Sequence, residues 1–270
     1  MSIYFEAKTN DGYIQVNDQC PIFRLEEVYD LGTKFVATSA WTFTDYTLGR
    51  KAHNGYFYQL SGEDNDTDVF FIHNPTDTPV MLRTSYCCPY YSQYAYPYTS
   101  HYYKEKRGWW VAVYGCEKEI ADSLKVLRFT NAIPNIGNCG LECFDASGKM
   151  VFSSNCIPMK IVDYQNVIHT TNRYVFWTGD WTMQTTEYSY NLPIGVWGFQ
   201  MGCGGTNGEA AGYSKQAQFY LTKTSVKLSW MTNWENEHQN VRDKWFYWSP
   251  IFNKPSPLTN FCVLDASLCL

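Results

Sequence analysis

The residues best suited to metal or nucleophilic chemistry in this 270-residue chain are ten cysteines and five histidines. Only Cys139 and Cys143 have a spacing that resembles half of a zinc site, and no second close pair follows them. A structural zinc ion is held by four ligands, usually supplied as two such pairs. We therefore expect the cysteines to pack as small hydrophobic side chains, and we predict neither a metal site nor a cofactor.

Motifs for catalysis are weak. The five histidines are scattered, without a His-x-x-Glu-His or Gly-x-Ser-x-Gly sequence around them. Two carboxylate pairs, Glu117 with Glu119 and Glu235 with Glu237, stand in polar surroundings typical of a solvated surface. The glycine-rich run 202–212 lacks the Lys-Ser or Lys-Thr step of a phosphate loop. We therefore predict no enzymatic activity, while a glycan-cleaving pair of carboxylates from distant strands stays open.

The segment 86–103 contains eight tyrosines in 18 residues. Tyrosine combines a large contact area, a polar tip and few rotatable bonds, which is why antibody paratopes use it. Pro89 and Pro97 disfavour a central strand in this segment. Two interpretations remain, a recognition surface for a protein or glycan partner and a hairpin packed on its own domain or on a neighbouring subunit. The residues predicted to bind a partner are Tyr90, Tyr91, Tyr94, Tyr96, Tyr98, His101, Tyr102, Tyr103 and Trp109.

A second aromatic cluster lies towards the C-terminus. Its rings favour a core or subunit interface first and a sugar-binding platform second. The cluster comprises Trp230, Trp234, Trp245, Phe246, Tyr247 and Trp248.

Composition excludes two classes of partner. Charged residues make up only 17% of the chain and the net charge is -5, whereas a nucleic-acid-binding protein needs a basic face. No apolar run approaches the ~20 residues that span a membrane. The first residues have neither the basic nor the apolar region of a signal peptide, which predicts synthesis in a cytoplasm.

Short runs of alternating apolar and polar residues dominate the chain. Residues 109–114 and 226–230 are typical, with β-branched and aromatic side chains bounded by turn-forming residues. Only residues 117–124 have the pattern of a helix. The sequence therefore predicts an all-β fold of the sandwich type.

An internal repeat divides the chain. Residues 5–20 align with residues 141–156, and both read as a strand, a glycine turn, a strand and a polar run ending in cysteine. We therefore predict two related antiparallel β-sandwich-like domains, residues 1–136 with the Tyr-rich segment and residues 137–270, with a boundary within 131–138. The aligned positions are Glu6 and Glu142, Gly12 and Gly148, Cys20 and Cys156, and Phe23 and Met159.

Residues 140–154, together with the apolar-basic run 159–163 that ends in Asp163, resemble a hairpin module of small tail-tip and tail-fibre-associated structural proteins of tailed bacteriophages. That module reads Gly-Leu-x-x-Phe/Tyr-Asp/Asn-x-x-Gly-x-x-x-Phe-Asp-Ser, and Ser153 departs from it where the module has aspartate. The matching residues are Gly140, Leu141, Phe144, Asp145, Gly148, Phe152 and Ser154.

The resemblance implies a virion structural protein of a phage tail, made in the bacterial cytoplasm. It implies this setting and no activity, and it supplies no catalytic residues. Together with the Tyr-rich segment, it leads us to expect a role in tail assembly and in binding a host receptor, whether a surface protein or a glycan. The expected partners are other tail proteins and further copies of this chain, with no nucleic acid and no membrane insertion. The alternative is a carbohydrate-binding module or a glycan hydrolase.

Overall fold

The computed structural model describes the backbone of fifteen segments of the chain. Within some strands it describes the backbone alone. The described residues are 5–9, 12–16, 23–39, 43–45, 50–52, 55–62, 68–87, 107–131, 142–144, 150–153, 155–168, 186–200, 203–204, 213–234 and 258–270.

These residues form strands almost throughout, so the all-β prediction is confirmed. A 3₁₀ turn covers Leu31–Lys34, and a short helix, α1 (Lys118–Asp122), lies within the stretch expected to be helical. The strands are β1 (Phe5–Thr9), β2 (Gly12–Val16), β3 (Arg24–Asp30), β4 (Phe35–Ser39), β5 (Phe43–Asp45), β6 (Arg50–Ala52), β7 (Gly55–Gln59), β8 (Asp68–His73), β9 (Val80–Cys87), β10 (Arg107–Tyr114), β11 (Lys125–Thr130), β12 (Glu142–Phe144), β13 (Met150–Ser153), β14 (Ile161–Ile168), β15 (Glu187–Ser189), β16 (Ile194–Gln200), β17 (Cys203–Gly204), β18 (Tyr213–Leu221), β19 (Ser225–Trp234) and β20 (Leu258–Asp265).

Two large antiparallel sheets make up the body of the fold. The six-stranded sheet has the order β14–β20–β16–β8–β11–β3. The ten-stranded sheet has the order β4–β7–β10–β9–β18–β19–β5–β6, with β15 also pairing with β19 and β17 with β18. Two hairpins, β1–β2 and β12–β13, form separate two-stranded sheets.

Both halves of the chain contribute to one hydrophobic core. It runs from Leu31 in the N-terminal half to Ala266 near the C-terminus, and many of its side chains are fully buried. Phe71 meets Phe129 edge-on within the six-stranded sheet, and Phe219 of the ten-stranded sheet meets Phe261 of the six-stranded sheet with ring centroids 5.4 Å apart. Burial of a ring or branched aliphatic side chain stabilises a fold by about 2 kcal/mol, so this shared core holds the two sheets together.

The strand orders of the two halves correspond. The run β3–β11–β8 of the N-terminal half is matched by β14–β20–β16 of the C-terminal half, and β9–β10–β7 is matched by β18–β19–β15. The hairpins β1–β2 and β12–β13 precede the equivalent strands β3 and β14. The halves join where β8 meets β16 and where β9 meets β18. Each sheet contains strands of both halves. The division of the chain into two domains at residue 136 stays a prediction. Of the proposed boundary, 131–138, only Asn131 lies in the described part.

The start of β3 pairs with residues 157–159, which precede β14 in the chain. The backbone nitrogen of Leu25 donates to the oxygen of Ile157, and that of Met159 donates to the oxygen of Phe23, both at 2.8 Å. Phe23 and Met159 are equivalent positions of the sequence repeat, so this contact pairs a residue with its own counterpart. A two-fold axis between two related halves places equivalent residues opposite each other at the axis. The contact of Phe23 with Met159 is what such an axis would produce.

His73 strengthens the join between β8 and β16, which share a single residue pair in the ladder, Val196 with Ile72. Its Nδ1 donates to the oxygen of Ile194 at 2.7 Å, and the residue is only 1% exposed. Burial lowers the pKa of His73; the hydrogen bond to Ile194 opposes this, and the charges of Lys223 and Lys125 add to the lowering. The folded protein therefore holds His73 neutral.

We expect the free energy of unfolding to depend on pH through His73. Its pKa is about 6.5 in the unfolded chain and lower in the fold. The unfolded state therefore takes up a proton first, and stability is lost as the pH falls below about 6.5. In the variant His73→Asn, the asparagine amide can still donate to Ile194. Chemical denaturation at several pH values should show that the free energy of unfolding of this variant changes less steeply with pH than that of the parent, by up to about 1.4 kcal/mol per pH unit. If the free energy of unfolding changed equally with pH in the parent and the variant between pH 5 and pH 7, the effect would be ruled out, since the other histidines are common to both.

Candidate recognition site at the end of the β9–β10 hairpin

The Tyr-rich segment is inserted between two paired strands. Cys87, the last residue of β9, is the register partner of Arg107, the first residue of β10. The intervening residues 88–106 therefore begin and end at one point of the ten-stranded sheet. The predicted binding residues Tyr90, Tyr91, Tyr94, Tyr96, Tyr98, His101, Tyr102 and Tyr103 lie outside the described residues.

A backbone irregularity marks the base of this insertion. The register between β9 and β10 shifts between Arg107 and Trp110, and Gly108 has a φ of 129°. This conformation is one that side-chain-bearing residues rarely adopt. A Cβ atom on Gly108 would lie 2.0 Å from the backbone oxygen of Ser61. Glycine is therefore required here, because β10 passes directly against the residues that follow β7.

Trp109 is the one predicted binding residue whose side chain is described. It is half-buried and meets Trp197 of the six-stranded sheet edge-on, with ring centroids 5.5 Å apart. Trp197 in turn contacts Phe70, with centroids 6.1 Å apart. Trp109 therefore links the two sheets near the start of β10, and its contact with a partner stays a prediction.

A hydrogen bond holds the sheets together in the same region. The hydroxyl of Thr84 in β9 donates to the backbone oxygen of Gly198 in β16. A Cβ atom on Gly198 would lie 2.4 Å from the oxygen of Asn260 and 2.5 Å from Cβ of Phe261, so β16 and β20 are packed without space for a side chain. These contacts hold β9 against β16, and β16 against β20, three residues before β9 ends at Cys87.

The first two residues of the second aromatic cluster lie on β19, which ends at the same end of the sheet. Strands β10, β9, β18 and β19 are consecutive neighbours and alternate in direction, so β9 and β19 end where β10 and β18 begin. Trp234 is the last residue of β19 and Trp230 lies within it. Trp245, Phe246, Tyr247 and Trp248 lie outside the described residues. Sequence reasoning missed the common origin of the two aromatic segments because strand order is not visible in a single sequence.

Asp163 on β14 lies in a hydrogen-bonding network that the sequence did not predict. Asp163 accepts hydrogen bonds from the hydroxyl of Tyr190 at 2.7 Å and from the amide of Gln165 at 2.9 and 3.0 Å. Partial burial acts to raise the pKa of Asp163, but these hydrogen bonds outweigh it and hold the pKa below its ordinary value. Burial, together with the same carboxylate, raises the pKa of Tyr190. Asp163 is therefore ionised at physiological pH, and its hydrogen bonds hold the carboxylate in place.

The described residues contain neither a cluster of metal-binding side chains nor a membrane-spanning helix. In the described ranges no three side chains of histidine, cysteine, aspartate or glutamate lie close enough to hold a metal ion. Nor does any helix in the described ranges have the length and apolar character needed to cross a membrane.

Comparisons with known proteins gave no relative. No family model, curated protein or solved structure matches this chain.

Proposed function

We propose that this chain is a structural component of a bacteriophage tail that takes part in tail assembly and binds a partner through aromatic segments at one end of its β-sandwich. The observation that carries the proposal is the insertion of the Tyr-rich segment between the register partners Cys87 and Arg107. The resemblance of residues 140–154 to a phage-tail hairpin module supplies the setting, and the virion is the proposed location.

A rigid base favours recognition by the segment it carries. Binding residues commonly lie on loops that a fixed scaffold positions, and anchoring both ends of a segment lowers the entropy lost on binding. The contacts of Trp109 with Trp197 and of Thr84 with Gly198 fix the base of residues 88–106. Tyrosines held in this way present contact area at little entropic cost. The expected partner is a host surface protein or glycan, or another tail protein.

The two hairpins support a role in assembly. In the described part of the chain, no other strand joins β1–β2 or β12–β13. A two-stranded hairpin is only marginally stable by itself in water. Contact with other tail proteins would stabilise both hairpins, and this supports a protein that works within a larger particle.

Two carboxylates with close side-chain partners support a structural use over a catalytic one. Asp68 has a 2% exposed side chain and pairs with Arg128 at 2.6 Å. Asp122 accepts from the hydroxyl of Tyr58 at 2.9 Å and also pairs with Lys118. These carboxylates hold neighbouring elements together. A glycan hydrolase needs two carboxylates that face a substrate, and this is the competing function for experiment to exclude.

Purified protein tests the proposal directly. Preincubating host cells with the chain should block adsorption of the phage whose genome encodes it, because protein and virion compete for one receptor. Host polysaccharide incubated with the chain should release no new reducing ends. Turnover of the polysaccharide would favour the hydrolase, and unchanged adsorption would remove the receptor-binding part of the proposal.

A further inference from the structure

The two outer strands of the six-stranded sheet differ in how they meet solvent. Outer strands expose unpaired backbone groups, and proteins usually protect them with charged residues. On β3 the exposed residues include Glu26, Glu27 and Asp30. Asp30 also pairs with Lys125 at 2.6 Å, so this edge is densely charged.

The other outer strand, β14, exposes three large apolar or aromatic side chains. Tyr164 is 57% exposed, Ile161 39% and Val162 37%. Asp163 is the only charged residue within 161–168, and its carboxylate is engaged by Gln165 and Tyr190. Strand β20 pairs with the inner side of β14, and no strand in the described ranges pairs with its outer side along 161–168.

We propose that β14 pairs with β14 of a second copy of this chain, antiparallel and about a two-fold axis at Tyr164, so that the six-stranded sheets of two copies join edge to edge. This dimer does not depend on the proposed phage-tail function.

The register follows from the polar residues on either side of Tyr164. An axis at Tyr164 places Asp163 of one copy opposite Gln165 of the other, the same carboxylate and amide that already bond within one chain. An axis at Asp163 would instead bring two carboxylates face to face, which destabilises a strand pair. The complementary pairing therefore selects Tyr164 as the centre.

The geometry of β14 is consistent with this centre. Its register against β20 shifts between Ile161 and Asp163 and is regular from Asp163 to Ile168. The regular pairing between copies therefore centres on residues 163–165, with Val162 opposite Asn166 at its margin. A two-fold contact of this kind uses each β14 edge once and closes, so it produces a dimer and not a fibre.

Sedimentation velocity of the full chain over a range of concentrations tests the dimer. Tyr164→Lys places two ammonium groups opposite each other at the axis, so the dimer dissociation constant should rise by about thirtyfold or more. Val28→Lys is the matched control, because Val28 is 37% exposed on the charged outer strand β3, and it should leave dimerisation unchanged. A chain that is monomeric at every concentration, or equal dimerisation of Tyr164→Lys and the parent, would overturn the proposal.

Cysteine cross-linking tests the register and does not depend on the lysine variant folding. Tyr164→Cys should form a disulfide between residues 164 of two copies on mild oxidation, identified by mass spectrometry of the linked peptides. Asn166→Cys should not link to itself, because residue 166 lies opposite residue 162 in this register. Absence of the 164–164 link, or self-linking of 166 in its place, would contradict the proposed axis.

Discussion

Replacing Gly108 by alanine is expected to lower the free energy of unfolding by about 3 kcal/mol or more. Two independent effects add at this residue. Its φ of 129° is strained for any residue with a Cβ atom, and that atom would lie 2.0 Å from the backbone oxygen of Ser61. The loss corresponds to a fall in Tm of roughly 6–12 °C for a chain of this size. The measurement is thermal and chemical denaturation followed by circular dichroism.

Gly62→Ala is the matched control. Gly62 lies next to Ser61 at the same place in the fold, but a Cβ atom there would have nothing within 4 Å. This variant should keep the stability of the parent or exceed it slightly. If the two variants melted at the same temperature, the close approach of β10 to the residues after β7 would be wrong.

Alanine substitutions in the Tyr-rich segment are expected to have the largest effect on function. Truncating an interface tyrosine that is a hot spot costs about 2 kcal/mol or more of binding free energy, close to a thirtyfold loss of affinity. At least one substitution should therefore weaken adsorption to host cells or incorporation into virions by this factor. The variants are single changes to alanine at Tyr90, Tyr91, Tyr94, Tyr96 and Tyr98.

Phenylalanine at the same five positions provides the control. It keeps the ring and its contact area and removes only the hydroxyl, so most of the binding should survive. Each variant must first show the melting temperature of the parent. If all five alanine variants assemble and adsorb like the parent, the segment packs only within its own fold and the recognition role is lost.

Local features of the fold were visible in the sequence because they depend on residues close together in the chain. The alternation in residues 109–114 reports a strand whose faces differ, and β10 covers those residues. The helical pattern of residues 117–124 matches α1. In both cases the side-chain period alone determines the element.

Long-range contacts were not visible, since a single sequence carries no information on which strands become neighbours. The repeat aligned Phe23 with Met159 but gave no sign that their backbones bond to each other. Trp109 was expected to face a partner, whereas its described contact is with Trp197 in the opposite sheet. Composition could identify Trp109 as a candidate contact residue. It could not distinguish a side chain that lies between the two sheets from one that lies on the surface.

Mass spectrometry of purified virions tests most directly whether the chain is a component of a phage tail. Particles of the phage whose genome encodes the chain would be purified by density gradient and compared with the lysate from which they came. We expect the chain in the particles at a fixed ratio to the other tail proteins, retained through washing in high salt. Presence of the chain in the lysate with its absence from the particles would contradict the account.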